Sequence, residues 1–524
     1  MTIKAHLMNP ILRLNTTALT VAIMITAFQY PNVLRAQSIG WQHTYGGSAL
    51  DNPKSLHQLP NGYLICGSSA SSDGDVTVNN GNLDAWLIKL DPNGSLVWEK
   101  SYGGSSLDVA TALDVTTDGG CIMAGNTFST NIAGVTNKGM YDYYVIKVDS
   151  LGAVQWQKAY GGPQDDYAYD VQQTSDGGYI LTGLINGAGG DISNYHVGFG
   201  GDVWVVKLDD TGAIEWEKSL GGSERENGHA VRETPDNGFV IAGFTNSSDG
   251  DISINHGSSD GWLVKLDSTG GIVWERTYSG LTTEQFWSLE LTNDGGFMAV
   301  GAVESDFGDD DFLLVKTDSA GVLQWTKSFG GSLDEITYSV KQLVSGGYIV
   351  SGRTNSNDGP VTFLHGGHDA WLIKVDDTGK LDWQKTFGGS GGETGFKVVQ
   401  SSDSTLVFTG PTESADGDIT SNNGDMDFWV VKLAIPLNIQ SPDFELAALK
   451  VYPTRSTGVI NVDYLSDDKF DDHFEIYNAL GLKVEAGKLQ SRRNKIDLQD
   501  LSSGIYFIHV MSNSGHQTFK FILY

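Results

Sequence analysis

The feature that most limits what this chain can fold into is one phrase written seven times. Trp41, Trp98, Trp156, Trp216, Trp274, Trp325 and Trp383 each open a phrase like Trp98-Glu-Lys-Ser-Tyr-Gly-Gly104, at spacings of 57, 58, 60, 58, 51 and 58. Self-similarity at such a period means that one supersecondary unit is repeated, and that neighbouring units bury each other's apolar faces. Each interval carries four strand signals. An apolar run such as 110–115 ends in Asp118-Gly119-Gly120, a hairpin turn that exploits glycine's tolerance of positive φ. A second strand follows at 121–126, then a polar loop, a third strand at 143–148, the turn Asp149 to Gly152, and a fourth strand around Trp156.

Four short antiparallel strands per unit and seven units predict an all-β fold, a seven-bladed β-propeller over residues 37–437. The ends match. The seventh unit has a third strand at 428–433 but then reads Ala434-Ile-Pro436, with no fourth strand, whereas a spare fourth strand stands at 40–45. The amino-terminal strand is therefore expected to complete the last blade and close the ring, which also protects the sheet edges. The recurring Trp is expected to pack between sheets.

Residues 1–36 read as a secretory signal: Lys4 and Arg13 precede an apolar run from Ala18 to Phe28, and Ala36 stands before polar residues. No stretch is long enough to span a bilayer comfortably. The net charge is −31, and residues 37–442 carry −32 of it against +3 before and −2 after them, a field that repels nucleic acid and anionic lipid and favours cations. Cys66 and Cys121 occupy strand positions of opposite parity and are expected as two free, buried thiols.

Beyond a polar linker at 438–448 the pattern changes to short strands at 459–464, 474–477, 483–486, 505–510 and 519–523, a small β-sandwich. Six phrases stand here in order: Val451-Tyr-Pro453, Gly458-Val-Ile-Asn461, Glu475-Ile-Tyr-Asn478 with Gly481, Ile496-Asp-Leu498, Leu501-Ser-Ser-Gly-Ile-Tyr-Phe507 and Lys520-Phe-Ile522. In these residues the segment 449–524 resembles the C-terminal sorting domain of the type IX secretion system of the Bacteroidetes. The resemblance implies handling by that machinery, passage across the outer membrane, and release or attachment at the cell surface. The repeats resemble a family of Trp–Gly–Gly propeller repeats in secreted proteins of these bacteria, a family that implies no particular activity.

Two sets of acids recur in all seven units. One set is Asp51, Asp108, Asp166, Glu226, Glu284, Glu335 and Glu393; the other is Asp84, Asp142, Asp202, Asp260, Asp311, Asp369 and Asp427. In a propeller both should lie near the face that carries the long second-to-third loops, together with Asp73-Gly-Asp75, Asp249-Gly-Asp251 and Asp416-Gly-Asp418. Recurrence in every unit favours loop ties through backbone N–H groups. The sharper expectation is calcium, a hard cation that takes several loop oxygens, with Asp73, Asp75, Asp249, Asp251, Asp416 and Asp418 as ligands.

Departures from the repeat are the better functional candidates, because a working site breaks the symmetry of a ring. The fifth unit shortens its second-to-third loop to Glu304-Ser-Asp-Phe-Gly-Asp-Asp310; the fourth carries Arg225, Glu226, His229 and Arg232; the sixth carries His365 and His368, and the third His196. Enzyme readings find little support. Asp209-Asp-Thr-Gly212 is similar to the docking motif of quinoprotein dehydrogenases but one residue shorter, and only Arg225, Arg232, Arg276 and Arg353 could form the arginine cluster of a sialidase. No nucleophile motif or phosphate loop stands out. The expected function is a non-catalytic binding or adhesion module with a glycan or protein ligand on the long-loop face. A structural surface scaffold is the alternative, and a propeller hydrolase or lyase a third.

Overall fold

The computed structural model describes residues 38–434, apart from 279, 281 and 306–308, and residues 449–524, apart from 453–454, 465–471, 479–482, 490, 492 and 513–514. The expected signal at 1–36 and the linker at 438–448 lie outside the described residues. The chain divides into two units, Met1–Pro436 and Leu437–Tyr524.

The first unit is all-β, built of seven four-stranded antiparallel sheets. In the first sheet Asp51–Leu59, Gly62–Ser69, Asp84–Leu90 and Leu96–Tyr102 pair in chain order, and the next five sheets repeat this pattern. The seventh combines Lys397–Gln400, Leu406–Thr412 and Asp427–Leu433 with Ile39–Tyr45 from the amino end, which pairs antiparallel to Asp427–Leu433. Its first strand is short: Pro411, whose carbonyl accepts from Thr394 just before that strand, has no N–H to extend the ladder.

One apolar cluster lies between each sheet and the next. Trp86, Phe428, Val76 and Tyr45 belong to a cluster joining the seventh sheet to the first, and Trp383, Phe387, Phe408 and Trp429 to one joining the sixth to the seventh. Each such cluster buries ten or more apolar side chains, at about 1.5–3 kcal/mol apiece. The recurring Trp side chains pack between sheets, as expected. Each indole from Trp41 to Trp325 stands over the turn glycine of the following unit; a Cβ on Gly212 would lie 2.9 Å from the Trp156 ring. The Trp156, Trp216 and Trp325 ring nitrogens donate to the same turns, at the Asp210, Ser268 and Asp377 carbonyls. Cys66 and Cys121 are free and buried in the cluster between the first two sheets.

The second unit has a three-stranded sheet (Leu449–Tyr452, Val459–Tyr464, Arg493–Asp497) and a five-stranded one (Arg455–Ser456, Gly515–Leu523, Gly504–Ser512, Asp472–Asn478, Lys483–Leu489). Ile460, Val462 and Ile496 from the first share a core with Ile476, Ile508 and Phe521 from the second. Arg493–Asp497 is a strand that the sequence pattern did not mark, because only Ile496 in it is apolar and buried. Among the described residues no helix is long and apolar enough to cross a membrane.

Candidate functional site

The two sets of recurrent acids meet in pairs. An acid at the start of a third strand and the acid 24 residues later, at the start of the next sheet's first strand, converge on the first glycine of the Gly-Gly phrase. A Cβ on Gly103 would sit 2.6 Å from Asp84 Oδ1 and 2.7 Å from Asp108 Oδ2. On Gly161 it would sit 2.6 Å from both Asp142 Oδ1 and Asp166 Oδ2, and on Gly46 it would meet Asp427 Oδ1 and Asp51 Oδ2. At these glycines only a hydrogen fits between the two carboxyls, whereas the phrase before Glu284 carries Ser279 at this position. The second residue of the phrase donates its N–H to the first-strand acid, as in Gly47 to Asp51 (2.7 Å), Gly104 to Asp108 (2.7 Å) and Gly222 to Glu226 (2.9 Å).

These acids are buried, apart from the half-buried Asp311, and in the third-strand set one oxygen is left over: Asp84, Asp142, Asp202, Asp311, Asp369 and Asp427 each have an Oδ1 with no hydrogen-bond partner. Burial pushes Asp142, Asp202, Asp311 and Asp427 up to about 6, and Asp166 to about 7, with the facing carboxylate adding to the rise at Asp166, Asp202, Asp311 and Asp427.

The six proposed calcium ligands are engaged in loop ties. Asp73 accepts from Ser48 N, Asp249 from Ser223 N and Asp416 from Ser390 N, at 2.7–2.8 Å. Asp75 accepts from Gly46 N, Asp251 from Gly221 N and Asp418 from Gly388 N, at 3.1–3.3 Å. The central Gly74, Gly250 and Gly417 have φ near +65°, and a Cβ there would strike the Gly46, Gly221 and Gly388 carbonyls. Among the described residues no three His, Cys, Asp or Glu side chains gather closely enough to hold a metal. His196 bridges Asp202 (2.9 Å) and Asp251 (3.8 Å), and His365 bridges Asp369 (2.6 Å) and Asp418 (3.8 Å). The His368 ring lies against Gly392. With the six carboxylates held by backbone donors, moving the protein from EDTA to about 1 mM calcium is expected to leave its Tm unchanged; a rise of several degrees by calorimetry would make these loops metal sites.

The irregular residues of the fourth unit form part of an arc that the sequence pattern concealed. In the first six sheets the first strand carries a β-bulge, and Lys54, Thr111, Tyr169, His229, Trp287 and Tyr338 are the residues left out of register. A bulge re-aims a side chain. Tyr169 stacks on His229 (4.7 Å), His229 on Trp287 (4.8 Å), Trp287 meets Tyr338 edge-on, Tyr338 meets Phe396, and Lys54 lies 4.1 Å over the Phe396 ring. Burial pushes His229 down to about 4 and Lys54 to about 8. One layer away Arg232 pairs with Asp170 (2.5 Å), Lys341 with Glu290, and His57 with Asp114 (3.4 Å). The fourth-unit cluster is thus split: Glu226 ties a loop, His229 stacks and Arg232 is ion-paired.

The fifth unit breaks the repeat in three places at once. Elsewhere the third strand carries a large aromatic two residues after its acid: Trp86, Tyr144, Trp204, Trp262, Trp371 and Trp429. Its polar end donates to the residue thirteen further on or its equivalent, as Trp204 to Glu217 (2.8 Å) and Trp371 to Gln384 (2.9 Å). The fifth unit has Leu313 and Thr326 at these positions. Elsewhere the second-to-third loop also sends a buried aliphatic side chain into the junction with the preceding sheet: Val76, Ile132, Ile192, Ile252, Val361 or Ile419. The shortened loop at 304–310 has no counterpart in sequence. The result is a groove of about 690 Å³ between the fourth and fifth sheets. Val303, Leu313, Val315 and Leu323 line it with Tyr278; Glu275, Arg276, His256 and Lys327 supply charge and donors. Glu284 reaches it too, only 4% exposed and with Oε2 unpartnered. The short loop was marked in the sequence as a departure; Leu313 and Thr326 were not.

Residues 450–524 match the family model of the secretion system C-terminal sorting domain. This segment is a type IX sorting domain. It marks the chain for export to the cell surface or the extracellular space, and agrees with the six phrases read from the sequence. No curated protein matches the chain. Among solved structures, similarity extends to the BBS1 fragment in complex with ARL6 (9% identity, 76% of this chain and 97% of that one, TM-score 0.41). A puromycin hydrolase (11%, 90% and 61%, TM-score 0.41) also matches. So does PorZ of Porphyromonas gingivalis, a surface component of the type-IX secretion system (10%, 93% and 100%, TM-score 0.22).

Proposed function

We propose that residues 37–437 form a closed seven-bladed propeller of the Trp–Gly–Gly repeat kind, carried by a signal at 1–36 and the sorting domain at 449–524, and that it is a non-catalytic binding module on the cell surface whose ligand occupies the groove between the fourth and fifth sheets. The pairing of Ile39–Tyr45 with the seventh sheet and the cluster between the seventh and first sheets support closure. The observation that carries the binding reading is the coincidence of three departures, at Leu313, Thr326 and the 304–310 loop, on one space. A drifting repeat loses its fillings at unrelated positions; here Leu313 and Thr326 line one and the same junction, whose volume is in the range of ligand pockets, and the shortened loop precedes that strand in sequence. Ile254, Val322 and Leu323, among the chain's exposed large apolar side chains, lie on its rim. The scaffold alternative requires seven equivalent units, which the fifth is not.

The double variant Leu313→Trp/Thr326→Glu restores the filling of the sister units. It is expected to raise Tm by several degrees, since a buried indole contributes about 2–3 kcal/mol, and to lose every ligand that the full chain retains on glycan and peptide arrays. Unchanged retention by the folded double variant would overturn the groove as the binding site.

A further inference from the structure

Resting on the groove as the binding site, we infer that its ligand is a polypeptide segment that inserts an aromatic side chain with a ring N–H, an indole, into the space between the fourth and fifth sheets.

The sister junctions are the mould for this inference. The five tryptophans that fill the corresponding third-strand position are at most 1% exposed, and each indole N–H ends on a side-chain acceptor, as Trp86 on Glu99, Trp262 on Glu275 and Trp429 on Gln42. A flat ring held on an aliphatic bed, with one acceptor at its polar edge, is therefore what this architecture accommodates at a sheet junction. The fifth junction keeps the bed, in Val303 and Val315, and has Leu313 where the sister units carry the ring. It has an acceptor at a different position, since Thr326 replaces that of the sister units. Glu284 lines the groove and is buried; its Oε1 is occupied by the Gly280 N–H at 2.8 Å, and its Oε2 has nothing to accept from. A buried carboxylate oxygen without a partner is unfavourable, and a ligand's N–H would satisfy it.

A polypeptide fits better than a glycan for two reasons. Sugars are bound on exposed aromatic faces, and this bed is aliphatic, with Tyr278 its one Phe, Tyr or Trp wall among the described residues. The groove is also flanked by Ile272–Tyr278 and Leu323–Phe329, each the terminal strand of its sheet. Such edges pair with an extended main chain, whose alternate side chains point inward. One of those inward side chains would enter the hole.

The test uses the full chain with N-acetyl-tryptophanamide, N-acetyl-phenylalaninamide, N-acetyl-alaninamide and cellohexaose as probes, read by calorimetry and saturation-transfer NMR. The tryptophan probe is expected to bind in the sub-millimolar range of a fragment this size, and the alanine probe at least tenfold more weakly. Leu323→Asp, on the exposed rim, should weaken the tryptophan probe at least tenfold without touching the core. Glu284→Gln keeps an oxygen for Gly280 and turns an amide toward the ring N–H, so it should cost the tryptophan probe more than the phenylalanine probe. Equal binding of the alanine and tryptophan probes would overturn the inference. So would cellohexaose binding that Leu323→Asp abolishes, although the groove would then stand as a binding site. If no probe binds and the filled double variant also keeps its array ligands, the inference and the binding reading fall together.

Discussion

Gly243→Ala is expected to destabilise the repeat unit by more than about 4 kcal/mol, the scale of a backbone clash that cannot relax, and to leave little soluble protein. A Cβ at this position would stand 1.7 Å from the carbonyl oxygen of Asn227. The obstacle recurs in every sheet. Gly67, Gly125, Gly183, Gly301, Gly352 and Gly410 face the carbonyls of Asn52, Val109, Tyr167, Gln285, Ile336 and Thr394 at 1.4–2.1 Å from the added carbon. The cause in the first six sheets is the bulge on the first strand, which brings that carbonyl over the second strand just before the out-of-register residue. Bulge and glycine therefore form one device, and the arc from Tyr169 to Lys54 depends on it. Gly295→Ala is the control. Gly295 has φ +81° with nothing within 4 Å of the added carbon, so it should lose only about 1 kcal/mol of backbone strain. Urea midpoints of the two variants decide the matter: equal, small losses would mean that the second strand yields easily and that the bulge is not locked.

That device shows where reading the sequence stops. Period and turn chemistry are local, so the seven units, their strands and the spare strand at Ile39–Tyr45 could be read from spacing alone. Side-chain direction past a bulge is not local. Alternation predicts one face for His229, and the extra residue turns it into the arc against Tyr169 and Trp287. The fourteen acids were visible, but their pairing joins the third strand of one unit to the first strand of the next, as Asp84 to Asp108. A comparison of units with one another cannot show a contact between units. The groove was half legible. Its short loop is a change of length, which stands out; Leu313 and Thr326 are ordinary residues whose meaning depends on the Trp262–Glu275 bond they fail to repeat.

The paired acids predict an unusual pH dependence. Folding raises Asp142, Asp202, Asp311 and Asp427 to about 6 and Asp166 to about 7, because burial disfavours their charged form and, at four of them, a second carboxylate faces them. The unfolded chain holds its aspartates near 3.9. Between about pH 4 and pH 7 the folded state thus binds more protons than the unfolded one, and stability falls as pH rises through that window. Each tenfold gain in a carboxylate's proton affinity on folding corresponds to about 1.4 kcal/mol, so several such groups outweigh most single interactions in the fold. The turn aspartates act in the opposite sense. Asp236, Asp294 and Asp403, held at about 2 by hydrogen bonds and by Lys265, Lys316 and Lys432, stabilise the fold above pH 4 and lose that contribution as pH falls toward 2. The two families place the maximum of Tm near pH 4, with a fall of roughly 5–10 °C by pH 8. Asp142→Asn removes one titrating partner at the second junction and relieves Asp166, so its Tm should decline less between pH 5 and pH 8 than that of the parent. A parent Tm that is flat or rising over this range would mean that both acids of each pair stay ionised, and that something other than a proton offsets their charge.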